Sequence, residues 1–108
     1  MVAVIIATTE NLPGFRVVEV KNRVFGVVVR SRGLGGNIMA SLRTLWGGEI
    51  YEYTRMLEEG RRDAIDRMAE NAEKLGANAI VMMRFDSSSI NTMGEIVAYG
   101  TAVVVEKI

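Results

Sequence analysis

The chain has no cysteine and no histidine among its 108 residues. That double absence excludes disulfides, thiol redox chemistry, zinc-finger ligation, Ser-His and Cys-His catalysis and every imidazole acid or base. A single proline argues against Pro-rich disordered segments. An excess of one charge is also missing. Thirteen basic residues against thirteen acidic ones leave a formal net charge of zero, so no broad surface for nucleic acid or an anionic membrane is expected. The apolar start, Met1 to Ala7, falls far short of the roughly 20 residues that span a bilayer. It has no basic lead and passes at once into Thr8-Thr9-Glu10-Asn11, so a signal peptide is not expected either and the expected location is cytoplasmic.

What is present is apolar residue in quantity. At 49% hydrophobic, the chain can fold as one domain over residues 1–108, removing about 65% of its unfolded surface without staples. Val2 to Ala7 is short and β-branched and reads as a strand, and Asn11-Leu12-Pro13-Gly14 as a turn. Phe15 to Val20 and Val24 to Arg30 read as two strands joined at Lys21-Asn22-Arg23 as a hairpin, with Gly26 marking a bulge or the close approach of another backbone. Ile38 to Trp46 has helical spacing and is closed by Gly47-Gly48. From Glu49 to Leu75, the residues Ile50, Tyr53, Leu57, Gly60, Ala64, Met68, Ala72 and Leu75 form a stripe at three- and four-residue steps. This predicts a helix about 38 Å long, stopped by Gly76. Acid-first pairs such as Asp63 with Arg67 lie off the stripe, where they add a few tenths of a kcal/mol each.

Ala79 to Phe85, including Met82 and Met83, reads as a strand buried on both faces, and Asp86 to Gly94 as a loop. Glu95 to Ile108 alternates with apolar residues on both faces. One long helix covers only one face of a small sheet, so the second face is expected to meet other copies of the chain. The expected fold is α+β: a mainly antiparallel β-sheet with one long and one short helix.

Three groups of residues carry candidate chemistry. The turn Arg30-Ser31-Arg32-Gly33-Leu34-Gly35-Gly36-Asn37 leads from a strand into a helix and suits either of two tasks. Its backbone N–H groups and guanidinium groups can hold an anion, or its arginines can meet carboxylates at a subunit contact. The spacing matches neither a P-loop nor a dinucleotide fingerprint. Glu10, Asp86 and Glu95, with Ser87, Ser88, Ser89 and Asn91, are hard ligands for a metal ion, without the spacing of a calcium loop. Tyr51, Tyr53 and Tyr99 are possible acids or bases, but no nucleophile stands beside an activating partner.

Several stretches, in order along the chain, resemble the YbjQ-like family of small proteins. They are Thr8 to Gly14, Val27 to Asn37, Gly47-Gly48-Glu49, Leu75 to Val81, Arg84-Phe85-Asp86 and Glu95 to Val103. The resemblance implies a compact, dodecin-like arrangement, ring-shaped homo-oligomers that are pentamers, and a heavy-metal-binding label. It brings neither an enzymatic activity nor a ligand set. Without Cys or His, any such metal site is confined to oxygen and thioether donors. The expected function is therefore a ring-forming module that binds a metal ion or small ligand. The alternative is an assembly module without metal, whose Arg30 to Asn37 turn serves the interface or binds an anion, and an enzyme ranks third.

Overall fold

The longest strand decides the architecture. In the computed structural model, which describes residues 4–31, 51–90 and 93–108, Phe15–Ser31 forms one uninterrupted strand. The elements are β1 (Ile5–Ile6), β2 (Phe15–Ser31), α1 (Tyr51–Lys74), β3 (Ala79–Ile90) and β4 (Met93–Lys107). They build a four-stranded mixed sheet in the order β1-β3-β4-β2, with β1 parallel to β3 and the other pairs antiparallel. The expected short helix, Ile38 to Trp46, lies outside the described residues.

The hairpin expected at Lys21-Asn22-Arg23 is replaced by straight passage. These residues include no glycine to supply the positive φ of a two-residue turn. The long alternation of β4 instead offers one continuous partner, and the extra residues of β2 are absorbed by register shifts between Val17 and Glu19 and between Val20 and Asn22. Of the loop expected at Asp86 to Gly94, residues 86–90 and 93–94 are likewise strand, and Asn91 and Thr92 lie outside the described residues. β3 runs to Ile90, and its pairing with β4 closes at Ile90 opposite Met93. Asp86, Ser87 and Ser88 are polar because they are exposed, not because the ladder has ended.

Helix α1 covers one face, where Ala64, Met68 and Ala72 are fully buried against Val24, Val28, Ile96, Ala98 and Ala102. Two members of the predicted stripe, Leu57 and Leu75, are instead exposed. The buried seam Gly60-Ala64-Met68-Ala72 advances in four-residue steps and so winds about 40° per step around the helix, following the twist of the sheet. Leu57 and Leu75 lie three residues beyond its ends and point roughly 90° away from it.

The helix ends as the sequence predicts. Gly76, at φ +82°, lets the Ala77 N–H reach the Ala72 carbonyl and its own N–H the Glu73 carbonyl, a Schellman cap. The Leu12 to Phe15 turn also forms, with the Phe15 N–H donating to the Leu12 carbonyl at 3.0 Å. It folds Leu12 and Phe15 over Ala79, Val81, Val103 and Val105, so this end of the second face is covered by the chain itself.

Candidate functional site

The rest of that second face is open among the described residues, and its residues follow from strand register. Residues directly opposite in an antiparallel pair share a face. Three rows therefore run across β2, β4 and β3: Phe25-Tyr99-Arg84, Val27-Val97-Asp86 and Val29-Glu95-Ser88. The β2 side is apolar and the β3 side polar. Phe25, Val27, Val29 and Tyr99 are large hydrophobic residues left 46%, 42%, 54% and 38% exposed. On the polar side, the Ser88 hydroxyl donates to Glu95 Oε2 at 3.1 Å, and Asp86 Oδ1 accepts from the Ser87 N–H.

One irregularity in β3 decides which residues reach this face. Register with β4 jumps from Val81 opposite Thr101 to Arg84 opposite Tyr99, leaving one extra residue at Met82-Met83. Met82 takes φ +57°, a left-handed conformation that costs a side-chain-bearing residue about 1 kcal/mol. Backbone bonds compensate, from the Met82 N–H to the Thr9 carbonyl and from the Met83 N–H to the Ala7 carbonyl. Met82, expected to be buried, is thereby turned outward. Beyond the bulge the alternation inverts. Arg84, Asp86 and Ser88 join the open face, while Phe85 turns to the helix side beneath the Arg61 guanidinium, 5.5 Å from its ring centroid. Arg84 Nη1 donates to the carbonyls of Thr8 and Met83, tying the N-terminal segment to the bulge.

Of the sequence-predicted ligands, Asp86 and Glu95 come onto one face at diagonal positions of neighbouring strands. Glu10 does not join them. It lies in the segment after β1, and among the described residues no group of three or more acidic side chains is placed to hold a metal ion. Soft heavy metals find neither thiolate nor imidazole anywhere in the sequence, which leaves methionine thioethers as the soft donors. Arg30 and Ser31 end β2, opposite Gly94 and Met93, while Arg32, Gly33, Gly35, Gly36 and Asn37 lie outside the described residues.

Sequence reasoning missed Asn78. Its Oδ1 accepts the Val105 N–H at 2.8 Å and its Nδ2 donates to the Val105 carbonyl at 3.0 Å, while its own N–H and C=O bond to Val103 and Ile5. The side chain thus extends the β3–β4 ladder by one step. An asparagine just past a helix-stopping glycine was the only signal available.

Among the described residues, a mixed sheet with one helix on one face and a half-apolar opposite face defines a small α+β protein. A similar fold occurs in the crystal structure of a protein of unknown function of the DUF74 family from Pediococcus pentosaceus. It has a TM-score of 0.70 at 12% identity, over 95% of this chain and 98% of that one. The YbjQ family model, described as "Putative heavy-metal-binding", matches residues 4–106. A UPF0145 protein of Bradyrhizobium sp. is 64% identical over 96% of this chain and 95% of its own length, and one of Sulfurisphaera tokodaii is 57% identical over 96% and 92%. The chain belongs to the YbjQ-like, UPF0145 family. Among the described residues no helix is long and apolar enough to cross a membrane.

Proposed function

We infer that the protein is a homo-oligomeric assembly module, with the open face of its sheet as the contact between copies. The observation that carries this reading is the cluster of Phe25, Val27, Val29, Val97 and Tyr99 on adjacent strands, away from the chain's own helix and its N-terminal segment. Large aromatic and branched residues clustered in this way mark a contact surface, while the polar row on β3 suits its rim. Closed cyclic symmetry satisfies such faces without leaving an unpaired one, and a pentameric ring is the form we propose.

Light scattering on the eluting protein tests this directly. Wild type is expected to have a mass several times 11.9 kDa. Val27→Glu, which places a charge at the centre of the face, is expected to reduce it to a monomer with unchanged helix content. A wild-type monomer at high micromolar concentration would overturn the reading.

Metal binding by this module would rest chiefly on hard oxygen donors. Asp86 and Glu95 from several copies would have to supply together what one copy lacks. Elemental analysis of protein purified without a metal-affinity tag is expected to find a stoichiometric divalent ion in that case, lost in Asp86→Asn and Glu95→Gln. Sub-stoichiometric metal, unchanged by either substitution, removes metal from the function and leaves assembly alone.

A further inference from the structure

Strand β2 forms one edge of the sheet, with β4 as its sole strand partner among the described residues. Its central stretch, Val24-Phe25-Gly26-Val27-Val28-Val29, is six uncharged residues rich in β-branched side chains, without proline. A segment of that composition on an edge is a template for pairing with another chain. Here, however, two of its outward carbonyls are occupied. The Val27 carbonyl accepts from Arg67 Nη1 at 2.6 Å and the Phe25 carbonyl from Asn71 Nδ2 at 2.7 Å. One step further, the Arg23 N–H donates to Asn22 Oδ1 at 2.8 Å.

The match follows from geometry. Four helical residues rise about 6.0 Å and two strand residues about 6.8 Å, so a helix running antiparallel to the edge brings Arg67 and Asn71 over alternate, outward-pointing carbonyls. The close approach that this needs is provided at Gly26, where a Cβ would lie 2.5 Å from the Met68 nitrogen.

We propose that Arg67 and Asn71 form an edge cap, whose task is to deny the β2 edge to strand pairing by a second copy of this chain. Association of copies through this edge is thereby prevented. The cap is separate from the face contact inferred above and acts whatever the oligomer's size, because it concerns hydrogen-bonding groups in the plane of the sheet rather than side chains on its face. Surface pairing of Arg67 with Asp63, the role that helix spacing alone assigns, gives no reason for a directed bond to a strand carbonyl.

The test is the double variant Arg67→Met with Asn71→Leu, which keeps bulk and helix propensity but removes both donors. It is expected to form elongated assemblies with a several-fold rise in thioflavin T fluorescence and an intermolecular β-sheet infrared band. Arg67→Lys with Asn71→Gln, which retains donors, is expected to keep the wild-type mass. Adding Val27→Pro to the double variant removes an outward N–H without touching the bonds to β4 and is expected to suppress the assemblies, whereas Val27→Ala in the same background, which trims the same face side chain but keeps the N–H, is expected to leave them. If the double substitution prevents folding, the single variant Asn71→Leu, which frees the Phe25 carbonyl alone, is read by the same measures. The proposal fails if the uncapped variant keeps the wild-type mass with no thioflavin T response, or if the proline-bearing variant assembles as readily.

Discussion

Gly26→Ala is expected to destabilise the protein by about 3 kcal/mol, lowering the melting temperature by about 15 °C. The added Cβ would run into the Ala64 carbonyl oxygen and lie 2.5 Å from the Met68 nitrogen and 3.0 Å from Met68 Cβ. The first two are backbone atoms in the middle of α1, so relief requires lifting the helix from the sheet. That would open the core around Met68, a fully buried side chain. Gly94→Ala is the control, because a Cβ there meets nothing within 4 Å. Its stability should stay within about 0.5 kcal/mol of wild type. Urea denaturation of the two variants checks both values, and a loss below about 1 kcal/mol for Gly26→Ala would show that the helix does not rest on β2 as described.

The second large effect is expected at Asn78. Asn78→Ala leaves the half-buried N–H and C=O of Val105 without their partners and should cost about 3 kcal/mol. Asn78→Asp separates the two bonds. A carboxylate still accepts from the Val105 N–H, but it cannot donate to the Val105 carbonyl and repels it. The folded state therefore disfavours the charged form, and the pKa of the new Asp is higher folded than unfolded. The resulting penalty is full above the folded pKa and shrinks as pH falls through it, because the protonated acid can donate. Relative to wild type, Asn78→Asp should thus regain stability between about pH 7 and pH 4. A deficit that is flat or deepens over that range would mean that the donor half of the pair contributes nothing.

The parts of the fold that were legible in the sequence are those with short-range causes. Pro13-Gly14 and Gly76 act within a turn of chain, and both do locally what their residue types require. The helix was legible because its four-residue repeat of small and apolar positions, from Gly60 to Ala72, is periodic over more than three turns. Gly26 was legible because a glycine inside a strand pattern marks a bulge or a place where another backbone comes close. The open apolar face could be anticipated from arithmetic alone, since one helix cannot cover two faces.

Other features had no local signal. Lys21-Asn22-Arg23 reads as a turn until β4 is laid beside it, and Asp86 to Ser88 reads as a loop until β4 is seen to continue beside it. Polar residues at exposed strand positions and polar residues in loops have the same composition, so only the pairing partner distinguishes them. The site depended most on the bulge at Met82. A single extra residue inverts the alternation and decides that Asp86, Ser88 and Glu95 share a face while Phe85 leaves it. Nothing in the side chains of Met82 or Met83 announces this. The bulge is held by carbonyls of Ala7 and Thr9, more than 70 residues away in sequence. Local chemistry and periodicity were set by the sequence alone, whereas strand parity, and with it the composition of each face, was decided only when the N-terminal segment docked against β3.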